Sequence, residues 1–229
     1  MSIAISVLFG DTTYYTSVNH FDRFRIGERA DSDLTIPGLG YELSVTRDGG
    51  VYMIEAVNAG GKRRIPASRE KPSAIDFERK IAILITENSD SPSVVTLPSD
   101  CVVHVGKSSK AASDGTKNEI ILDLPYVSRR HFVLIRENGN TFVSDAGSTN
   151  GIYLNGKRVQ KAQFRERDVL SIFTIRITLK GNHIIFENVG SHFSSQEIRG
   201  TTKLKAAALA PLDEPAYSIS RAPRLVSGI

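Results

Sequence analysis

The chain has 229 residues, room for one large domain or two small ones, with 40% apolar and 24% charged residues and a formal net charge of +4. No apolar run approaches the roughly 18 residues of a membrane span, and the N-terminus lacks a signal peptide's basic flank and cleavage site. The lone cysteine, Cys101, excludes a disulfide framework and points to a reducing cytosol, and positive charge spread along the chain without a basic helix excludes the usual nucleic-acid binders.

Taken in order, the elements have a period of two. Short β-rich runs lie at 4–10 (AISVLFG), 24–27 (FRIG), 41–47 (YELSVTR), 51–56 (VYMIEA) and 80–87 (KIAILITE). More follow at 101–106 (CVVHVG), 118–124 (NEIILDL), 131–137 (HFVLIRE) and 141–146 (TFVSDA). The stretch 145–159, DAGSTNGIYLNGKRV, carries two Asn-Gly pairs. Asn155-Gly156 follows Ile152 and Leu154 alternating with Tyr153, which predicts a hairpin turn with φ > 0 at both central residues. Ser148, Thr149 and Asn150 predict a polar loop tip beside that turn. In 173–180, Phe173, Ile175, Ile177 and Leu179 alternate with polar residues, which predicts a half-buried strand, and Gly181-Asn182 turns it into HIIFEN at 183–188.

Many short strands and almost no helical period predict an all-β fold. Residues 24–36 and 102–124 share a strand ending in Ile/Val-Gly, a polar loop and a second short strand, a weak internal repeat of about 80 residues. The expected division is 1–78, 79–190 and a Ser/Ala/Pro-rich, mostly irregular tail at 191–229, with one short helix at 201–210 (TTKLKAAALA). The boundary is placed within the Pro-containing, charged segment 65–79.

Between 79 and 190 the polar features sit at strand ends: Gly106-Lys107, VSRRH at 127–131, GSTNG at 147–151 and NGKR at 155–158. In that order they resemble the forkhead-associated (FHA) domain, a β-sandwich that binds phosphothreonine peptides on its loops. The resemblance implies roles position by position. Lys107 falls where the family has a phosphate-contacting Arg after Gly106. Ser128 matches the hydroxyl on a phosphate oxygen, and Arg129 follows it in the loop that contacts phosphate or peptide. Thr149 and Asn150 match the pair that binds phosphate and positions the peptide backbone. Asn155 matches a second loop Asn that braces the loops or reaches the ligand. His131 is architectural, with Gly106, Gly151 and Gly156 as structural support.

The chemistry agrees with these roles, because a phosphate dianion needs charge-assisted donors from several directions. Lys107 and Arg129 supply cations, Ser128 and Thr149 hydroxyls, and Asn150 an amide. Gly-rich tips let backbone N–H groups approach an anion. Simpler readings cover part of the set: a hairpin turn accounts for Asn155-Gly156, a satisfied structural histidine for His131, and solvation for Arg130 and Arg158.

No catalytic reading survives. Ser128 and His131 lie three apart on an expected strand and point to opposite faces. GKSS at 106–109 has Cys101 where a P-loop needs its first Gly and no helix after it. The five His and one Cys show no metal-ligand spacing, so neither a metal nor a cofactor is expected.

The first repeat resembles the same fold with its site removed. It keeps Gly27 and Arg29, but GLGYELSV replaces Ser-x-x-His and VNAGGKRR lacks Ser-Thr-Asn. The whole arrangement, two FHA-type sandwiches and a tail with RAPRL at Arg221–Leu225, resembles the cytosolic N-terminus of the membrane-bound FtsK/SpoIIIE-type ATPases of type VII secretion. That resemblance implies a cytoplasmic fragment of a longer chain, tethered to the inner face of the membrane only by segments beyond Ile229. It also implies a non-catalytic regulatory and assembly module whose second domain recognises a phosphothreonine-containing or acidic protein partner, such as another secretion component. The alternatives are a purely structural scaffold and a freestanding signalling adaptor.

Overall fold

The computed structural model describes residues 2–88, 91–107 and 118–200. The expected helix at 201–210 and most of the expected tail lie outside the described residues. The first 87 residues hold β1 (Ile3–Phe9), β2 (Thr12–Val18), β3 (Arg23–Gly27), β4 (Leu34–Thr35), β5 (Glu42–Asp48), β6 (Val51–Asn58), β7 (Gly61–Ala67), β8 (Ser73–Asp76) and β9 (Ile81–Glu87). After them come β10 (Ser93–Thr96), β11 (Cys101–Gly106), β12 (Glu119–Leu122), β13 (Phe132–Glu137), β14 (Asn140–Asp145), β15 (Ile152–Leu154) and β16 (Lys157–Val159). The last are β17 (Lys161–Gln163), β18 (Val169–Ile172), β19 (Ile175–Lys180), β20 (His183–Glu187) and β21 (Phe193–Ser195). The all-β expectation holds.

These strands form two sandwiches that share a sheet. A five-stranded sheet, β4-β3-β5-β6-β7, covers the first core, and a six-stranded sheet, β17-β14-β13-β11-β12-β21, covers the second. The third sheet has ten strands, β10-β20-β19-β18-β15-β16-β2-β1-β9-β8, and runs through both halves. Its joint is the contact of β16 with β2, where Lys157 lies opposite Thr12.

Burial on both faces explains the near-continuous apolar run of β9. Ile81, Ile83 and Ile85 enter the first core, while Leu84 and Ala82 face the second. β1 behaves alike: Ile3, Ile5 and Val7 enter the first core, Leu8 meets the second, and Ala4 and Ser6 are fully buried. The expected division at 78/79 thus falls just ahead of a strand that pairs with β1 and β8 and packs in the first core.

Two expectations shift. Residues 191–200, assigned to the tail, extend the second sandwich: β21 pairs with β12, Ile198 is buried in the core, and the Asn118 side chain both donates to and accepts from Arg199 (2.7 and 2.8 Å). Their apolar residues are too sparse to show a period. The strand expected from Phe173 begins at Ile175, because Phe173 and Thr174 form the two-residue turn between β18 and β19, with Phe173 at φ 50°. Its side chain is nonetheless buried, edge-on to Tyr126 at 5.9 Å.

β11 runs from Cys101 to Gly106, where the polar loops gather. At its other end Gly200 lies against Pro98 and the Asp100 backbone. Ser2 likewise sits at the end of β1 away from the Gly10-Asp11 turn, and its carbonyl accepts the Asn88 amide at 2.8 Å.

Candidate functional site

Three segments meet at the end of β11. Gly106 is required by close approach, since a Cβ there would run into the carbonyl oxygen of Arg129. The next amide, that of Lys107, donates to the Ser128 carbonyl at 2.9 Å. The Ser128 hydroxyl oxygen accepts the Thr149 amide at 3.1 Å, joining the second segment to the third. Asn150 donates its side-chain amide to the Tyr126 carbonyl at 2.8 Å. Lys107, Ser128, Arg129, Thr149 and Asn150 are therefore neighbours, brought together from three loops.

His131 holds this arrangement from below. It is fully buried; Nδ1 accepts the Ser128 amide at 3.0 Å, and Nε2 then carries the proton and donates to the Gly151 carbonyl at 3.1 Å. Burial, opposed by the Gly151 carbonyl and by Asp145, lowers its pKa from the ordinary 6.5, so the ring is neutral at pH 7. Both nitrogens are committed to backbone, and neither meets the Ser128 hydroxyl.

The loop carrying Thr149 is built by residues whose part the sequence reading missed. Asp145 accepts the Ser148 amide at 2.7 Å and the Ser148 hydroxyl at 3.2 Å, and that hydroxyl oxygen accepts the Gly151 amide at 2.9 Å. The Asp-x-x-Ser spacing at a strand end was the available signal. With Ser148 occupied in this way, Thr149 stands exposed at the tip.

The cations differ in their freedom. Among the described residues, the exposed side chains of Arg129 and Arg130 have no ion-pair partner. Lys107 Nζ lies 3.9 Å from Asp123 Oδ1, so its charge is partly answered within the chain. Arg158 is not a solvated residue: its side chain is 30% exposed and its Nε is buried without a partner.

Asn155 and Gly156 lie to one side of this cluster. Both take φ > 0 (51° and 82°), as the hairpin reading requires. The Asn155 side chain donates to Asp168 at 2.8 Å and accepts the Val169 amide at 3.0 Å, so both of its polar ends brace the neighbouring loop. A Cβ on Gly156 would lie 3.0 Å from the Thr13 carbonyl, which places this turn against the first sandwich.

The counterpart loops of the first sandwich follow from strand register. Ile26 faces Leu43 across β3 and β5 as Val105 faces Phe132 across β11 and β13, so Glu28 corresponds to Lys107 and Leu39 to Ser128. Leu39 is fully buried, and the Glu28 carboxylate accepts the Gly40 amide. Arg79 donates to the carbonyls of Leu39 (2.7 Å) and Gly38 (2.6 Å). An anion of the chain itself thus stands where the second sandwich has a cation. Arg29, the cation noted in the sequence, pairs with Asp31 at 3.2 Å.

A family model described as FHA domain matches residues 103–173. No curated protein matches the chain. Among solved structures the chain is similar to the N-terminal FHA domain from EssC, a component of the bacterial type VII secretion apparatus. That likeness covers 88% of this chain and 99% of the other, at 15% identity and a TM-score of 0.66. An FHA domain from Chlamydia trachomatis is 20% identical over 42% of this chain and 90% of its own (TM-score 0.31). Mycobacterium tuberculosis EmbR, solved with a low-affinity phosphopeptide, is 22% identical over 39% of this chain and 20% of its own (TM-score 0.27). At 15% identity the likeness to the EssC domain is one of fold.

Proposed function

We propose that the second sandwich, where the FHA-domain model matches, is a non-catalytic module that recognises a phosphothreonine-containing protein through Lys107, Ser128, Arg129, Thr149 and Asn150. We further propose that the pair of sandwiches serves as a cytoplasmic regulatory and assembly module of a type VII secretion ATPase. The shared fold with the EssC domain supports this second statement.

One observation carries the first: hydroxyls and cations from three loops converge at one exposed end, braced by the buried His131 and by Asp145. The Ser128 oxygen accepts the Thr149 amide, leaving its proton free to donate to a phosphate oxygen. Thr149 and Arg129 are exposed beside it. Such donors act together because each bond to a dianion is charge-assisted.

The test is calorimetry of the full chain with a phosphothreonine peptide and its unphosphorylated form. Only the first should bind, and Ser128→Ala should weaken it by about 1.5–3 kcal/mol, the range for a hydrogen bond to a charged group. Lys107→Arg should tighten binding, because a guanidinium fork can hold two phosphate oxygens where an ammonium is a point charge. Equal affinity for the two peptides would reject the reading. The Lys107–Asp123 pair favours a rival, a structural scaffold without phosphate recognition, for which neither substitution would matter.

A further inference from the structure

We propose that the first sandwich positions the phosphate loop of the second, through Asp11 and Arg158, so that the candidate site is completed by both halves of the chain. This rests on the reading of the site given above. Gly151 closes the loop that carries Thr149 and Asn150. Its backbone is fixed on three sides: φ is +76°, its amide meets the Ser148 hydroxyl, and its carbonyl meets the His131 ring. The fourth side is the Arg158 guanidinium, whose Nε would lie 2.7 Å from a Cβ on Gly151.

Arg158 is in turn held by the first sandwich. Its amide donates to the Asp11 carbonyl at 2.9 Å, and the Thr13 amide donates to the Gly156 carbonyl at 2.8 Å. Arg158 Nη1 lies 3.9 Å from Asp11 Oδ1, and Lys80 approaches the same carboxylate at 3.8 Å. Across the hairpin Arg158 faces Tyr153, which is 3% exposed. The guanidinium is thus confined between the Gly10-Asp11 turn and the Gly151 backbone, and a shift of that turn is transmitted to the loop. Arg158 is a positioning residue and reaches the ligand only through Gly151.

The sign of the charge effect separates positioning from simple attraction. Asp11 is an anion, so if charge alone mattered, Asp11→Ala would tighten binding of an anionic peptide. Positioning demands the opposite. Asp11 is exposed and its carbonyl survives the substitution, so the backbone contact remains. Arg158→Lys keeps the charge and loses the fork.

The experiment is calorimetry with a phosphothreonine peptide, together with amide exchange at Thr149–Gly151, on the full chain and both variants. Each variant should weaken binding by roughly fivefold and speed Gly151 exchange, in the range of couplings carried by such contacts. Asp11→Ala that binds as well as the parent or better, with exchange unchanged, overturns the proposal. If the parent binds no phosphopeptide, the reading of the site fails, and exchange alone decides: faster exchange in the variants upholds the coupling and unchanged exchange overturns it.

Discussion

His131 shows how one buried side chain makes an exposed site possible. Its two nitrogens take one amide and one carbonyl from the two loops that carry Ser128 and Thr149, which fixes their separation without contributing any charge. The folded ring has a lowered pKa, so the unfolded chain binds the proton first as pH falls below about 6.5. Stability from this group is complete above that value and declines below it. His131→Gln should therefore be less stable than the parent at pH 7.5, with the gap in melting temperature narrowing towards pH 5. A gap that stays constant would deny the neutral ring its role. Cys101 is inert by the same physics, its thiol pushed up to about 11 by burial.

At the scale of elements, the hairpin of β15 and β16 is the part with two duties. Its turn braces the Asp168 loop through Asn155, and its far side meets the first sandwich through Gly156 and Arg158. Asn155→Ala would leave left-handed backbone without the short polar side chain that tolerates it, and would lose two hydrogen bonds, each of about 0.5–1.5 kcal/mol. A fall of about 1–3 kcal/mol in chemical denaturation is expected, and no measurable change would mean that the turn is not held as described. The Asn-Gly signal made this hairpin legible in the sequence, as alternation did for β11, β13 and β19. β7 carries no such signal, because Lys62, Arg63 and Arg64 in succession show no apolar alternation. They sit on an edge strand, where charge and Pro66 are tolerated. Of the site, hydroxyls and cations were legible as motifs. Arg158 and Asp11 were not, because their meeting depends on packing between segments far apart in the chain.

Seen whole, the molecule is two cores sharing one sheet, with the outward residues of β1 and β9 buried against the second half. Leu84 is fully buried there, so Leu84→Ala should cost about 2–5 kcal/mol. The two sandwiches should melt together, with calorimetric and van't Hoff enthalpies in agreement, and the substitution should lower that single transition. Two separable transitions, only one of them shifted, would mean that the shared sheet does not couple the cores. The polarity of the strands has a further consequence. Gly200 and Ser2 lie at the ends of their sandwiches away from the loops, and the six residues of β11 span about 20 Å at the usual rise. A fluorophore placed at Ser2 or at Gly200 therefore stands off from the loops by roughly the length of a strand. Held at Ser2 or at Gly200, the paired sandwiches present their contacts forward, like a plug with its wiring at the back.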